Sequence, residues 1–241
     1  MAYTNQPTLA VDFLNSLRGT FDVLGSSVDG GRNGLGESIS METTGGGMLT
    51  AAYEDCKIKD QEQYEYITML GARMNGSYRC INVPIATDWF GPFPKFKGIS
   101  KPILTGIPHS DGSLFTDTSG YSQATVYGEA TEGAALNAGV LNLQLFGAAR
   151  ALRHSDWFSI YHPTKGWRAY RYWSVLDKSE AENPVYRLAI TPPLREAVVA
   201  GTRVEFARPL FVAKFPSGFT LPLVVEAFFV TQQSIRFVEA F

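Results

Sequence analysis

Cysteine and histidine are scarce in this chain: two cysteines, Cys56 and Cys80, and three histidines, His109, His154 and His162, among 241 residues. Two cysteines build neither a disulfide framework nor a cysteine metal site. Both sit in strand-like surroundings, and we read them as buried free thiols. An excess of charge is missing as well. Lys plus Arg number 21 and Asp plus Glu 23, a net charge of −2, so neither nucleic acid nor an anionic membrane is expected as a partner. No apolar run approaches the roughly 20 residues of a membrane helix. The start, Met1 to Pro7, lacks the basic and apolar regions of a signal peptide, so synthesis in a cytoplasm is the expectation.

What is abundant is glycine, aromatic residues and short alternating segments. The clearest of these is Tyr186 to Pro209. Tyr186, Leu188 and Ile190 alternate with Arg187 and Ala189, the period of a strand with one apolar face. Thr191-Pro192-Pro193 then reads as a helix start, Leu194 to Ala200 as about two turns, and Gly201 as its left-handed stop. Val204 and Phe206 resume the alternation, and Pro209 ends it.

The rest of the chain divides around that block. Residues 1–36 read as a flexible N-terminal arm, with an apolar cluster at Phe13, Leu14, Leu17, Phe21 and Leu24. Its glycine-rich part, 25–36, has neither the strand, the helix nor the lysine that a phosphate-binding loop needs. Ser38 to Thr43 and Met48 to Ile58 read as a hairpin about Thr44-Gly45-Gly46-Gly47. The best helix is 60–75: Asp60 and Gln63 resemble a capping box, and Tyr66, Ile67, Leu70 and Met74 share a face. Tyr78 to Ile85 follows as a strand. Trp89 to Phe96 is aromatic and proline-rich, which excludes a central strand. Val140 to Phe146 alternates cleanly. Trp157 to Tyr161 and Ala169 to Val175 pair about the turn at His162 to Gly166, with Trp157 and Trp173 expected in the core. Leu223 to Phe229 and Ser234 to Phe241 close the chain, with Gln232 and Gln233 at the turn between them. The sum is a mainly β fold, a sandwich or barrel of about ten short strands, with one flanking helix at 60–75 and a short one at 193–200. The expected domains are a β core with the helix from 37–98 and 181–241, and 99–180 is either an inserted β subdomain or part of that one domain.

Chemistry is hard to place on these residues. His109-Ser110-Asp111 and His154-Ser155-Asp156 put an imidazole and a carboxylate on one face if extended. A hydrolase would also need a nucleophile and an oxyanion hole, and there is no Gly-x-Ser-x-Gly. Glu226 and Glu239 lie in apolar strands, where pairing with Arg195, Arg208 or Arg236 is the simplest reading. No catalytic, cofactor-binding or metal residue is assigned. Trp89 and Trp167 sit among turn residues and suit an interface, where aromatics are enriched.

Four stretches together resemble a known family. Tyr64 to Pro84 ends in Asn75-Gly76-Ser77-Tyr78-Arg79-Cys80-Ile81-Asn82-Val83-Pro84. Leu152 to Tyr161 carries Asp156-Trp157-Phe158-Ser159-Ile160, with Ser155 where glycine is usual. Ile190 to Pro209 is the closest match, and Ser234 to Phe241 resembles the family's ending. In this order they resemble the distal tail proteins, minor tail components at the baseplate of long-tailed bacteriophages and gene-transfer particles. The resemblance covers about half of the chain and departs from it in the glycine-rich start and in 86–140.

That resemblance implies a virion structural protein of the tail tip, assembled in the host cytoplasm, and not an enzyme. Its copies would form a ring, usually six-fold, that joins the tail tube protein to the baseplate hub protein, with no cofactor. The residues expected at the subunit interface are Phe13, Leu14, Phe21, Trp89, Phe90, Phe93, Phe96 and Trp167. The alternative is a carbohydrate-binding module of a tail or receptor-binding apparatus, stacking sugars on exposed tryptophans. A hydrolase using His109, Asp111, His154 or Asp156 is the third reading.

Overall fold

The structure, a computed structural model, describes residues 3–43, 45–74, 76–86, 91–96, 99–102, 104–107, 109, 111–122, 124–222, 224 and 231–241. The chain is mainly β, with one α-helix, and divides into two compact units, Met1–Pro84 with Phe211–Phe241 and Ile85–Leu210. The limits read from the sequence, 99 and 180, both fall inside the second unit. Trp89, Phe90, Glu226 and most of Leu223 to Phe229 lie outside the described residues.

The first unit contains β1 (Arg18–Leu24), β2 (Ser27–Arg32), β3 (Ser38–Glu42), β4 (Met48–Ile58), helix α1 (Gln61–Met74) and β5 (Ile81–Pro84). The second holds β6 (Lys95–Phe96), β7 (Ile99–Ser100), β8 (Tyr127–Ala130), β9 (Val140–Phe146), β10 (Trp157–His162), β11 (Gly166–Lys178), β12 (Val185–Thr191) and β13 (Arg203–Glu205). The chain then returns through β14 (Leu210–Lys214) and β15 (Thr231–Glu239).

In the first unit five strands form one sheet, in the order β1-β4-β15-β14-β5. Leu49, Ala51 and Tyr53 of β4 are buried, and so are Cys56 and Ile58. The parity changes because Asp55 takes a left-handed φ of 54° and inserts an extra residue into the strand. Tyr53 pairs with Ile235, but Cys56 already pairs with Gln233, so two residues of β4 oppose one of β15. This is a β-bulge, and it lets one strand keep its apolar side chains inward on both sides of the kink. The far edge, β5, is covered by the N-terminal chain: Leu9 N–H donates to the Asn82 carbonyl at 2.8 Å and Asn82 N–H to the Pro7 carbonyl at 2.9 Å. In α1 the buried residues Gln63, Ile67, Leu70 and Met74 follow the helical period. Its start is closed by the Gln63 amide oxygen, which accepts the Lys59 and Asp60 N–H groups at 2.8 and 3.3 Å.

The second unit is a closed barrel, in the order β10-β11-β12-β9-β8-β13. β9 shows why it closes on a dry core: Leu141, Leu143 and Leu145 are buried and the four residues between and beside them are only half-buried. Phe158, Ile160, Tyr170, Tyr172, Leu188 and Ile190 fill the same core. Gly147, after β9, takes a φ of +67°, and a Cβ there would lie 2.0 Å from the Thr125 carbonyl oxygen. Only glycine allows that approach.

Several expectations need correction. No helix forms at 193–200. Its backbone bonds sideways: Leu194 N–H donates to Ala138 O at 3.0 Å, and Ala134 and Val198 exchange two bonds of 2.8 Å. A segment this short gains little from helix formation, and here a neighbouring loop satisfies its polar groups while Leu194 and Val198 enter the barrel core. Gly201 does adopt φ 82°, but after a loop. The hairpin partners were also misassigned. β3 pairs with β2, while β4 pairs with β1 and β15. Residues 1–36 are thus not irregular throughout, since all seven residues of β1 pair with β4. The strand after α1 begins at Ile81, leaving Tyr78 exposed. Gln232 and Gln233 lie within β15, not at a turn.

Candidate functional site

Neither His-Ser-Asp repeat assembles a catalytic pair. His109 Nδ1 lies 3.2 Å from the Tyr121 hydroxyl, and its ring packs edge-on against Phe115 and Tyr121. Asp111 instead accepts the Ser113 hydroxyl and N–H, which hold its carboxyl below the usual range. Asp156 is buried and takes both Arg150 guanidinium nitrogens, at 2.7 and 2.8 Å, and the Arg153 N–H at 2.7 Å. A bidentate pair of this kind anchors the loop before β10. His154 lies over Tyr172, with ring centroids 5.3 Å apart. Among the described residues no group of three or more His, Cys, Asp and Glu side chains could hold a metal ion. Cys56 and Cys80 are buried and form no disulfide, and burial pushes the Cys56 thiol up to about 11.

Inside the barrel a short polar chain runs from backbone to imidazole. Arg195 N–H donates to the Tyr170 hydroxyl at 3.1 Å, and that hydroxyl lies 2.8 Å from His162 Nε2. With its oxygen accepting from Arg195, donation of the hydroxyl proton to Nε2 suits a neutral imidazole. Burial is the main cause that lowers His162 to about 4; the Glu196 charge opposes it and the Arg168 charge adds to it. Sequence reasoning treated His162 as a turn residue; nothing local announces that β10 turns it into the core.

The outer surface carries the more unusual feature. Every residue of β2 and β3 is exposed. Val28 pairs directly with Met41, and Ile39 lies two residues along from Met41, so the three share one face of the ribbon. Their exposures are 58%, 66% and 49%. The other face carries Ser27, Asp29, Ser38, Ser40 and Glu42. The ribbon is therefore amphipathic, and among the described residues nothing covers its apolar side. Beside it, the outer face of the five-stranded sheet holds a mostly apolar groove of about 420 Å³, lined by residues that include Thr20, Leu24, Thr50, Ala52, Arg236 and Val238.

The residues expected at an interface are scattered. Leu14 and Phe93 are buried, Phe93 within the barrel core, because each fills space inside its own unit. Phe13 is exposed, its ring 5.5 Å from Tyr66. Phe21 is half-buried edge-on to Tyr53, and Trp167 is half-buried against Tyr161. Of Phe96 only the backbone pairing with Ile99 is described. Trp173, expected in the core, is 66% exposed. Its neighbour Tyr172 points into the barrel, so strand alternation puts Trp173 on the outer face.

The chain matches no protein-family model and no curated protein.

Proposed function

We propose that this protein is a structural subunit of a phage tail tip, whose copies form a ring joining the tail tube to the baseplate hub. The observation that supports it is the β2–β3 ribbon. An isolated two-stranded ribbon is marginal in water, and an apolar face left open costs solubility unless it meets a partner. Such a face suits a subunit of an assembly. The resemblance of four segments to distal tail proteins supplies the kind of assembly. Electron microscopy of the purified chain, alone and mixed with tail-tube or hub proteins, tests the reading. Rings stacked on the tube end are expected. Monomers in every mixture would overturn it.

Trp173 favours a second reading, a carbohydrate-binding module, because an exposed indole on a rigid strand is a stacking platform for a sugar ring. That reading predicts glycan binding that Trp173→Ala abolishes without unfolding the chain.

A further inference from the structure

We infer that the outer groove of the five-stranded sheet receives the β2–β3 ribbon of a second copy of this chain. The inference rests on the ring reading above and names the surfaces that would make the ring. Shape is the first argument. The groove floor is made of small residues, Thr50 and Ala52, on β4, which lies between β1 and β15, and its sides include Leu24 and Val238. The ribbon offers what such a floor lacks, three bulky apolar side chains in one row, Val28, Ile39 and Met41.

Charge is the second argument. Residues 27–42 carry Asp29, Glu37 and Glu42 against Arg32, three acids to one base. Arg236, exposed, is the one charged residue among those lining the groove. Asp29 and Glu42 lie on the ribbon face away from the groove, so the match is between the net negative charge of the ribbon and the positive charge of Arg236, the kind of long-range complementarity that steers partner choice and orientation. The ribbon in question is not the chain's own, since no ribbon residue lines the groove and the whole ribbon stands in solvent.

Position is the third. Leu24 ends β1, two residues before the ribbon begins, and it also lines the groove. Each copy thus gives with one surface and receives with another close by. That is a heterologous contact, which repeats head to tail until it closes into a ring or runs on as a filament.

Cysteine cross-linking of the full chain tests this. Met41→Cys and Ala52→Cys proteins, mixed under mild oxidation, should give a disulfide-linked dimer that neither protein gives alone. Adding Arg236→Glu or Ile39→Asp should cut the yield about ten-fold or more, as expected for a charge misplaced in a contact. Both positions are exposed, so circular dichroism should stay unchanged. Three results would overturn the inference. If wild-type copies associate by sedimentation but the cysteines do not link, this pairing is wrong and the ring reading stands. If a Met41→Cys/Ala52→Cys double variant links within one chain, the ribbon serves its own sheet. If the wild type stays monomeric at every concentration and with every tail partner, both readings fall.

Discussion

Two antiparallel hairpins of the chain, β10–β11 and β2–β3, have opposite fates. In β10–β11, Phe158, Ile160, Tyr170 and Tyr172 point into the barrel and are buried. In β2–β3 no residue is buried at all, although Val28, Ile39 and Met41 alternate with polar neighbours as a core-facing strand would. Alternation therefore states which face of a strand is apolar, not what that face meets. The barrel hairpin finds its cover within the same unit, where the strands close on themselves. The ribbon finds none among the described residues.

The sharpest way to break this contrast is to cut one core ring. Phe158 lies 5.8 Å from Tyr170 and 5.5 Å from Phe206, by ring centroids, and is fully buried. Phe158→Ala should cost about 4 kcal/mol by urea denaturation, the loss typical of a large buried aromatic. A cost near zero would mean that the barrel is not packed as described.

The second test uses acid. His162 is lowered from 6.5 to about 4 in the folded chain. The unfolded chain then takes up the proton first, so the contribution to stability is fully present above pH 6.5 and is lost as pH falls toward 4. The loss across that window should approach about 3 kcal/mol. His162→Gln should flatten this part of the stability–pH curve. A wild-type curve parallel to that of the variant would remove His162 as the titrating group.

The smallest expected effect belongs to the ribbon. Ile39→Ala and Met41→Ala should change unfolding free energy by no more than about 0.5 kcal/mol in the isolated chain, as exposed sites do. A loss comparable to that of Phe158→Ala would show that the ribbon is covered within its own chain, and the contrast would collapse.

The legible parts of the sequence are those whose cause is local. The residues of β9 could be read directly because Leu141, Leu143 and Leu145 are inward and nothing interrupts the period. The β10–β11 pairing followed from one turn. Helix α1 followed from its cap and its apolar row. What failed depends on distant partners. Segment 193–200 has helix-like ends, but its backbone bonds belong to residues 134–138. β4 looked like half of a local hairpin, yet it lies between β1 and a strand more than 170 residues later in the chain. The interface residues were chosen for aromatic content. Leu14 and Phe93 show the weakness of that choice, since bulk alone does not separate a contact surface from a core. The ribbon was passed over because its glycines read as a loop.

Asp55 behaves like a frameshift written in conformation. Upstream of it β4 is read on odd numbers and downstream on even ones. A chain that held this residue in ordinary extended backbone, with no bulge, would register Cys56 and Ile58 to the opposite side, so a thiol now sealed and inert would meet solvent and oxidants. The harmlessness of Cys56 in air is thus a property conferred by its neighbour's backbone, and storage under oxygen would report on the kink as directly as any diffraction experiment.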